Sequence, residues 1–266
     1  MPRETKSLGR KDNLDRFYTK IDVVKKCLNL LDLNSYSMII EPSAGDGAFS
    51  NFLPGCYAYD IAPMNDSIIE ADWFKVDKKQ FDTNSLVVGN PPFGEQNALS
   101  VNFFNEAAKF CRTIAFILPL SFKKVSVQNR LDLNFILVKE LLLDENSFLL
   151  NNADYAVPCV FQVWERTDKP REKVRLKTTT EYFSFVTPKE AEIRIPRVGG
   201  NAGKATLNLI GAVTSNYFIQ NHTKLNSQEF VDFINQLIFP SIEFTVGPKS
   251  LSKGELIAIF EENFNG

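Results

Sequence analysis

Ser37-Met38-Ile39-Ile40-Glu41-Pro42-Ser43-Ala44-Gly45-Asp46-Gly47-Ala48-Phe49 is the stretch on which the fold turns. Its apolar opening, Ser37 to Ile40, reads as a short buried strand. Gly45 and Gly47 then permit positive φ and close backbone approach, with a helix-compatible stretch beyond. Strand, glycine-rich turn and helix make the nucleotide-binding corner of a Rossmann-like sheet. The spacing is neither Gly-x-Gly-x-x-Gly nor that of a phosphate loop with Lys and Ser/Thr. Glu41, at the strand end, would repel phosphates. A cationic or zwitterionic ligand fits better, and S-adenosylmethionine carries a sulfonium and an ammonium group. Alone, the segment could also be a plain glycine turn between strand and helix.

Outward from this corner, a second apolar strand, Leu86-Val87-Val88-Gly89, runs into Asn90-Pro91-Pro92-Phe93. The prolines remove two backbone donors and fix the chain direction, so Pro91 presents its carbonyl to a cavity. Asn90 adds a side-chain carbonyl aimed the same way, and Phe93 offers a flat face. Two acceptors beside an aromatic plane suit a planar ring with an exocyclic NH2. Pro-Pro turns after a strand also occur for ordinary reasons. Between the two motifs, Tyr57-Ala58-Tyr59-Asp60 reads as the next strand, its terminal acid placed for a ribose diol. Ile69-Glu70-Ala71-Asp72-Trp73-Phe74 supplies Asp72 and aromatics suited to an adenine amino group and ring. Taken alone, Asp60 or Asp72 is a solvated loop acid; in this order, each reads as a cofactor ligand.

Residues 41–49, residues 90–93 and the earlier Asp15-Arg16-Phe17-Tyr18-Thr19 resemble the S-adenosylmethionine-dependent amino-methyltransferases of nucleic acids, above all the adenine-N6 DNA methyltransferases. The motif order is similar to their gamma arrangement, and the resemblance spans about residues 10–165. It implies an α/β fold, a Rossmann-like class I methyltransferase sheet with helices on both faces. It also implies S-adenosylmethionine as cofactor and nucleic acid as partner, DNA favoured over RNA. Phe17, Tyr18 and Thr19 would contact the methionine end of the cofactor, with Glu41, Pro42, Ala44 and Gly45 beside the same moiety. Asp60 would hold the ribose and Asp72 the adenine. Asn90, Pro91, Pro92 and Phe93 would act at the target base. Cytosine-N4, guanine-N2 and protein-glutamine methylation use a related motif, which does not separate them or DNA from RNA. Beyond residue 168 the chain resembles no recognition domain.

Composition bounds the alternatives. At 266 residues and 44% apolar content, one α/β core plus a smaller region can be buried. Apolar runs fall short of the roughly 18 residues of a membrane span, and no charged-then-apolar leader opens the chain. A soluble, intracellular protein without a membrane partner is expected. Cys27, Cys56, Cys111 and Cys159 lack Cys-x-x-Cys spacing, and His222 is the one histidine, so neither a metal site nor a disulfide framework is expected. Cys159 reads as structural rather than as a thiol nucleophile. The net charge of −2 is unevenly spread, with basic clusters over 1–26, over 166–177, and at Lys123, Lys124 and Arg130. Such clusters neutralise phosphates when they share a cleft, and otherwise are solvated surface. A catalytically idle binding module is the reading from another class, and the intact motifs speak against it.

Three regions are expected: a polar basic arm over 1–15, the methyltransferase domain over 16–168, and a substrate-recognition or accessory α+β region over 169–266. Asp22 is placed to cap a helix whose Val23, Val24, Cys27, Leu28 and Leu31 share a face. Leu99, Phe103, Ala107 and Phe110 recur as a helical core face. Residues 113–118 read as a strand, 121–130 as a polar loop, and 135–142 with 155–164 as a closing hairpin. After a charged linker over 167–172, short strands are expected at 174–176, 182–186, 192–196 and 205–211. Residues 198–204 read as a glycine-rich connection, either a hairpin loop that carries Arg197 and Lys204 into a groove or along a backbone, or an ordinary mobile loop. Helices are expected at 228–237 and 252–261, the second capped by Ser250 or Ser252.

Overall fold

The computed structural model describes residues 17–150 and 153–264, so the arm expected over 1–15 lies outside the described residues. The chain divides into two compact units, Met1–Phe122 with Ser126–Glu172, and Lys123–Val125 with Lys173–Gly266. Up to the boundary, the elements are β1 (Tyr18–Thr19), α1 (Ile21–Leu28), β2 (Met38–Glu41), β3 (Tyr57–Asp60), β4 (Ile69–Glu70), β5 (Ser85–Gly89), α2 (Ala98–Ala107), β6 (Thr113–Pro119), α3 (Val125–Gln128), β7 (Phe135–Leu142), β8 (Phe148–Leu150), β9 (Ala153–Tyr155) and β10 (Cys159–Arg166).

Seven of these strands form a sheet in the order β4-β3-β2-β5-β6-β10-β7. The first five lie parallel, and β10 runs antiparallel to both β6 and β7. This is the Rossmann-like class I methyltransferase sheet expected from the sequence. Its central strands β5 and β6 are buried along their whole length because both faces are covered. Val87, Ile114, Phe116 and Trp164 pack with Phe104 and Ala107 of α2. Leu86, Val88, Ala115, Ile117 and Phe161 pack with Val23, Val24 and Cys27 of α1. The chain leaves β2 toward β3 on one side and returns at β5 on the other. That reversal opens a crevice at the carboxyl ends of β2 and β5.

Several local expectations change. No α-helix follows the glycine turn; Gly45 and Gly47 take φ of +56° and +90°, and only a 3₁₀ turn, Ser50–Phe52, follows. Asp22 does not cap α1. Lys20 holds the cap position without a side-chain bond, and Asp22 sits in the first turn, where an acid favours the helix dipole. The loop expected over 121–130 is largely helical, a 3₁₀ turn at Leu120–Lys123 followed by α3. Burial of Phe122 and Val127 explains that change. In the closing pair, β7 matches expectation, whereas β10 starts only at Cys159, after Pro158, which has no N–H to donate. The intervening β8 and β9 join β1 in a separate antiparallel sheet. Cys159 is fully buried, and burial raises its thiol pKa.

The second unit holds β11 (Phe183–Phe185), β12 (Ile193–Pro196), β13 (Asn216–Asn221), α4 (Ser227–Gln236) and α5 (Lys253–Asn263). β13, absent from the sequence reading, is the central strand and pairs antiparallel with both others. Residues 174–176 form no strand, and 205–211 contribute a single bridge, Arg194 to Thr206. The Arg194 side chain fastens that segment instead, donating to the Asn208 carbonyl (2.7 Å) and to Asn216 Oδ1 (2.8 Å). The glycine-rich connection is packed in place, with Ala202 buried and Gly203 N–H donating to the Pro196 carbonyl at 2.8 Å. Ser252 caps α5 in a reciprocal box with Glu255.

Candidate active site

The loops at the carboxyl ends of β2 and β5 enclose a cavity of about 380 Å³, within the size range of small-ligand sites. Its wall takes Phe17, Tyr18 and Thr19 from β1 and its approach, and Glu41, Pro42, Ala44 and Gly45 from the glycine turn. Asp60, Asp72, Asn90, Pro91 and Pro92 join them, and Phe93 does not. Antiparallel pairing of Tyr18 with Leu149 and Thr19 with Phe148 holds β1 against this pocket.

The acids are fastened by backbone amides. Gly45 N–H donates to Asp60 Oδ2 at 2.8 Å, and Ala62 N–H donates to Oδ1 at 2.9 Å, so Asp60 orders the glycine turn. Asp72 Oδ1 accepts from Phe74 N–H at 3.1 Å, and its other oxygen pairs with Lys75 at 3.3 Å. Glu41 is 1% exposed and accepts from Ser50 N–H at 2.8 Å. Burial, opposed by that bond and reinforced by Asp46 and Asp60, pushes its pKa up to about 8. Asp46 also lines the cavity, its pKa raised by burial. Among the described residues, four acids and no Lys, Arg or His line the wall. With Glu41 holding its proton below about pH 8, the three aspartates make a wall that disfavours phosphate and accepts a cation.

β5 delivers the Asn-Pro-Pro segment through Gly89 at φ +149°, where a Cβ would come within 3.2 Å of Glu41 Cγ. Hydroxyls then clamp the turn. Asn90 Nδ2 donates to Thr19 Oγ1 at 3.2 Å, Ser43 Oγ donates to the Asn90 carbonyl at 3.3 Å, and Ser100 Oγ donates to the Pro92 carbonyl at 3.1 Å. Asn90 Oδ1 is buried and has no hydrogen-bond partner among the described residues. No donor among the described residues reaches the Pro91 carbonyl either. The clamp leaves two acceptors without donors among the described residues.

Phe93 departs from expectation. Its ring is 9% exposed, lies off the cavity wall, and meets Phe17 edge-on at 5.1 Å. It is a core side chain here rather than an open stacking face. Leu99 and Phe103, read as core, both line the cavity, and Leu99 is 38% exposed. The expected substrate cations lie elsewhere. Lys123 stands over the Phe244 ring (5.2 Å), and Lys124 donates to the Ser250 carbonyl (3.1 Å) and hydroxyl (3.0 Å), all within the second unit. Arg130 donates to the Gln96 carbonyl at 2.8 Å, in the turn after Phe93. The sequence reading missed Ser43 and Ser100 as clamps, because a hydroxyl carries no signal until its acceptor is near.

No protein-family model matches the chain, and no curated protein matches it by sequence. Among solved structures it is similar to the 23S rRNA methyltransferase ErmE, at 16% identity and a TM-score of 0.44, over 58% of this chain and 71% of that one. A modification subunit assigned to a type I restriction enzyme from Vibrio vulnificus gives 15% and 0.42 over 59% and 46%. An rRNA methylase from Streptococcus thermophilus gives 16% and 0.34 over 55% and 95%. Likenesses of this size assign no activity; the fold rests on its own strand order.

Proposed function

We propose that this cavity binds S-adenosylmethionine and that the chain transfers its methyl group to an exocyclic amine of a nucleic-acid base, adenine N6 in DNA. The buried, partnerless Asn90 Oδ1 carries this reading. Leaving such an acceptor unpaired costs about 1–3 kcal/mol, a cost that an incoming N–H donor removes. The acidic wall fits the cofactor, which is cationic at sulfur and zwitterionic at its amino-acid end. When bound, it supplies an electrophilic methyl group.

The chain's own part is to make a poor nucleophile better. An exocyclic amine has its lone pair delocalised into the ring. With Asn90 Oδ1 and the Pro91 carbonyl each accepting one N–H, the nitrogen is drawn toward tetrahedral geometry. Both bonds strengthen as positive charge grows on nitrogen, so they favour the transition state over the ground state. Asn90 is not a base in this scheme, and the proton leaves to solvent afterwards. A duplex target has to flip its base out to reach the two acceptors. The order of the Phe-Tyr-Thr, glycine-turn and Asn-Pro-Pro-Phe elements supports adenine in DNA. Incubation with labelled methyl donor and separate pools of duplex DNA, single-stranded DNA, RNA and protein tests the reading. Label recovered as N6-methyladenine in DNA is expected. Label in RNA or protein would reassign the substrate, and no label in any pool would remove the activity.

A further inference from the structure

At the amino end of the same sheet lies a second, open concavity of about 650 Å³, lined by Lys78, Lys79, Lys109, Arg112, Arg166 and Asp168 around a floor of Phe81 and Phe110. β5 joins the two sites, with Asn84 at this rim and Asn90 in the acidic pocket. At about 3.3 Å per residue, the six steps from Asn84 to Asn90 hold them roughly 20 Å apart. The two walls have opposite chemistry, in a chain whose net charge is −2.

The cations at this rim are only partly neutralised. Lys78 and Lys109 share one carboxylate, Glu106, at 3.5 Å and 2.6 Å. The Arg166 guanidinium is braced on the Cys111 and Ala108 carbonyls, which fix its place without cancelling its charge. Arg112 donates to the neutral Asn84 Oδ1 at 3.2 Å. Lys79 is exposed and holds no carboxylate among the described residues. Among the described residues Asp168 is the one acid on the wall, and nearby Asp82 accepts from Asn84 N–H at 2.9 Å. Five cations thus face three acids. Thr83 and Asn84 add neutral polar groups to the lining.

We infer that this concavity is a phosphate-binding site, taking successive phosphates of a nucleic-acid strand or of a free polyphosphate. Cations gathered on one concave wall raise the local concentration of polyanions and release their counterions on binding. The sequence places basic clusters over 1–26, at 123–130 and over 166–177. Of their cations among the described residues, Arg166 lines the concavity, which takes the rest from 78–79 and 109–112. The inference stands on charge and position and does not require methyl transfer.

The test is the full chain carrying Lys79→Glu with Arg112→Glu, both exposed side chains. A fluorescent single-stranded oligonucleotide is titrated by anisotropy across a salt series, and inorganic tripolyphosphate by calorimetry. A control carries Lys189→Glu with Lys224→Glu, the same charge change at exposed positions in the second unit. The expected result is at least a tenfold loss of affinity in the first variant, and a salt slope shallower by about 1.4 for two lost single-strand contacts. The control should bind like wild type. Loss confined to the oligonucleotide identifies a strand as the natural ligand, and loss confined to tripolyphosphate identifies a free polyphosphate. Equal affinity and slope in both variants and wild type, for both ligands, would overturn the proposal. Cofactor affinity, measured in parallel, reports on the acidic pocket alone, so failure there remains distinguishable.

Discussion

Asn90 is oriented by a threonine seventy-one positions earlier in the chain; that contact uses its amide nitrogen, while its buried carbonyl oxygen has no partner among the described residues. Asn90→Ala removes one of the two acceptors proposed to hold the target amine. Turnover should fall by at least about a hundredfold, the scale of one lost preorganised transition-state contact, with cofactor affinity nearly unchanged. Single-turnover kinetics on an adenine-containing oligonucleotide measures this, and a wild-type rate would refute the mechanism. Glu41 makes a prediction in pH. Its folded pKa of about 8 lies above the ordinary 4.5, so between those values the native state holds a proton that the unfolded chain has released. This contribution to stability is complete below about pH 4.5 and is lost as pH rises through about 8. Thermal melts should therefore show a declining Tm over that window, with a flatter profile in Glu41→Gln, whose neutral side chain can still accept from Ser50. Parallel profiles for the two proteins would mean that Glu41 is ionised in the native state.

Elements are pinned by arginines that composition alone marks as candidates for phosphate. Arg171 donates to the carbonyls of Phe135 (3.0 Å), Gln128 (2.5 Å) and Leu131 (3.2 Å), tying α3 to the start of β7. Arg171→Ala should cost about 1.5–3 kcal/mol, the range for charged hydrogen bonds, and Arg171→Lys should restore little because an ammonium lacks the planar fork. Denaturant unfolding reads this directly; unchanged stability with weaker nucleic-acid binding would return Arg171 to the surface role. The bounds of β7 were legible from its sequence, as were the approximate limits of α4 and α5. β13 was not, although it is the central strand of its sheet. Its run Asn216-Tyr217-Phe218-Ile219-Gln220-Asn221 gains its meaning from partners on both sides, and Arg194 competes for the neighbouring segment.

For the molecule as a whole, each unit encloses its own apolar core. The second is built on aromatic side chains, with Phe260 against Tyr182, Phe183, Phe230, Phe233 and Phe264. Phe260→Ala should destabilise that unit by about 3–5 kcal/mol through lost burial and the cavity left behind. Ligand binding in the first unit should persist at temperatures where the second has melted. Calorimetry with and without the cofactor checks this, and simultaneous loss of both units would show that they fold as one.

The chain's local order was written in its sequence: short apolar strands, glycines at positive φ, and a proline pair that strips donors from one turn. Each acts over a few residues, through backbone sterics or missing N–H groups, and so needs no knowledge of the fold. The functional character of individual side chains was decided only in three dimensions. Phe93 is covered by Phe17, Leu99 is turned into the cavity, Glu41 is buried enough to hold its proton, and Arg112 joins Lys79 at one rim. Exposure, pairing and field at a residue are sums over neighbours far away along the chain, and only the packed sheet brings those neighbours together.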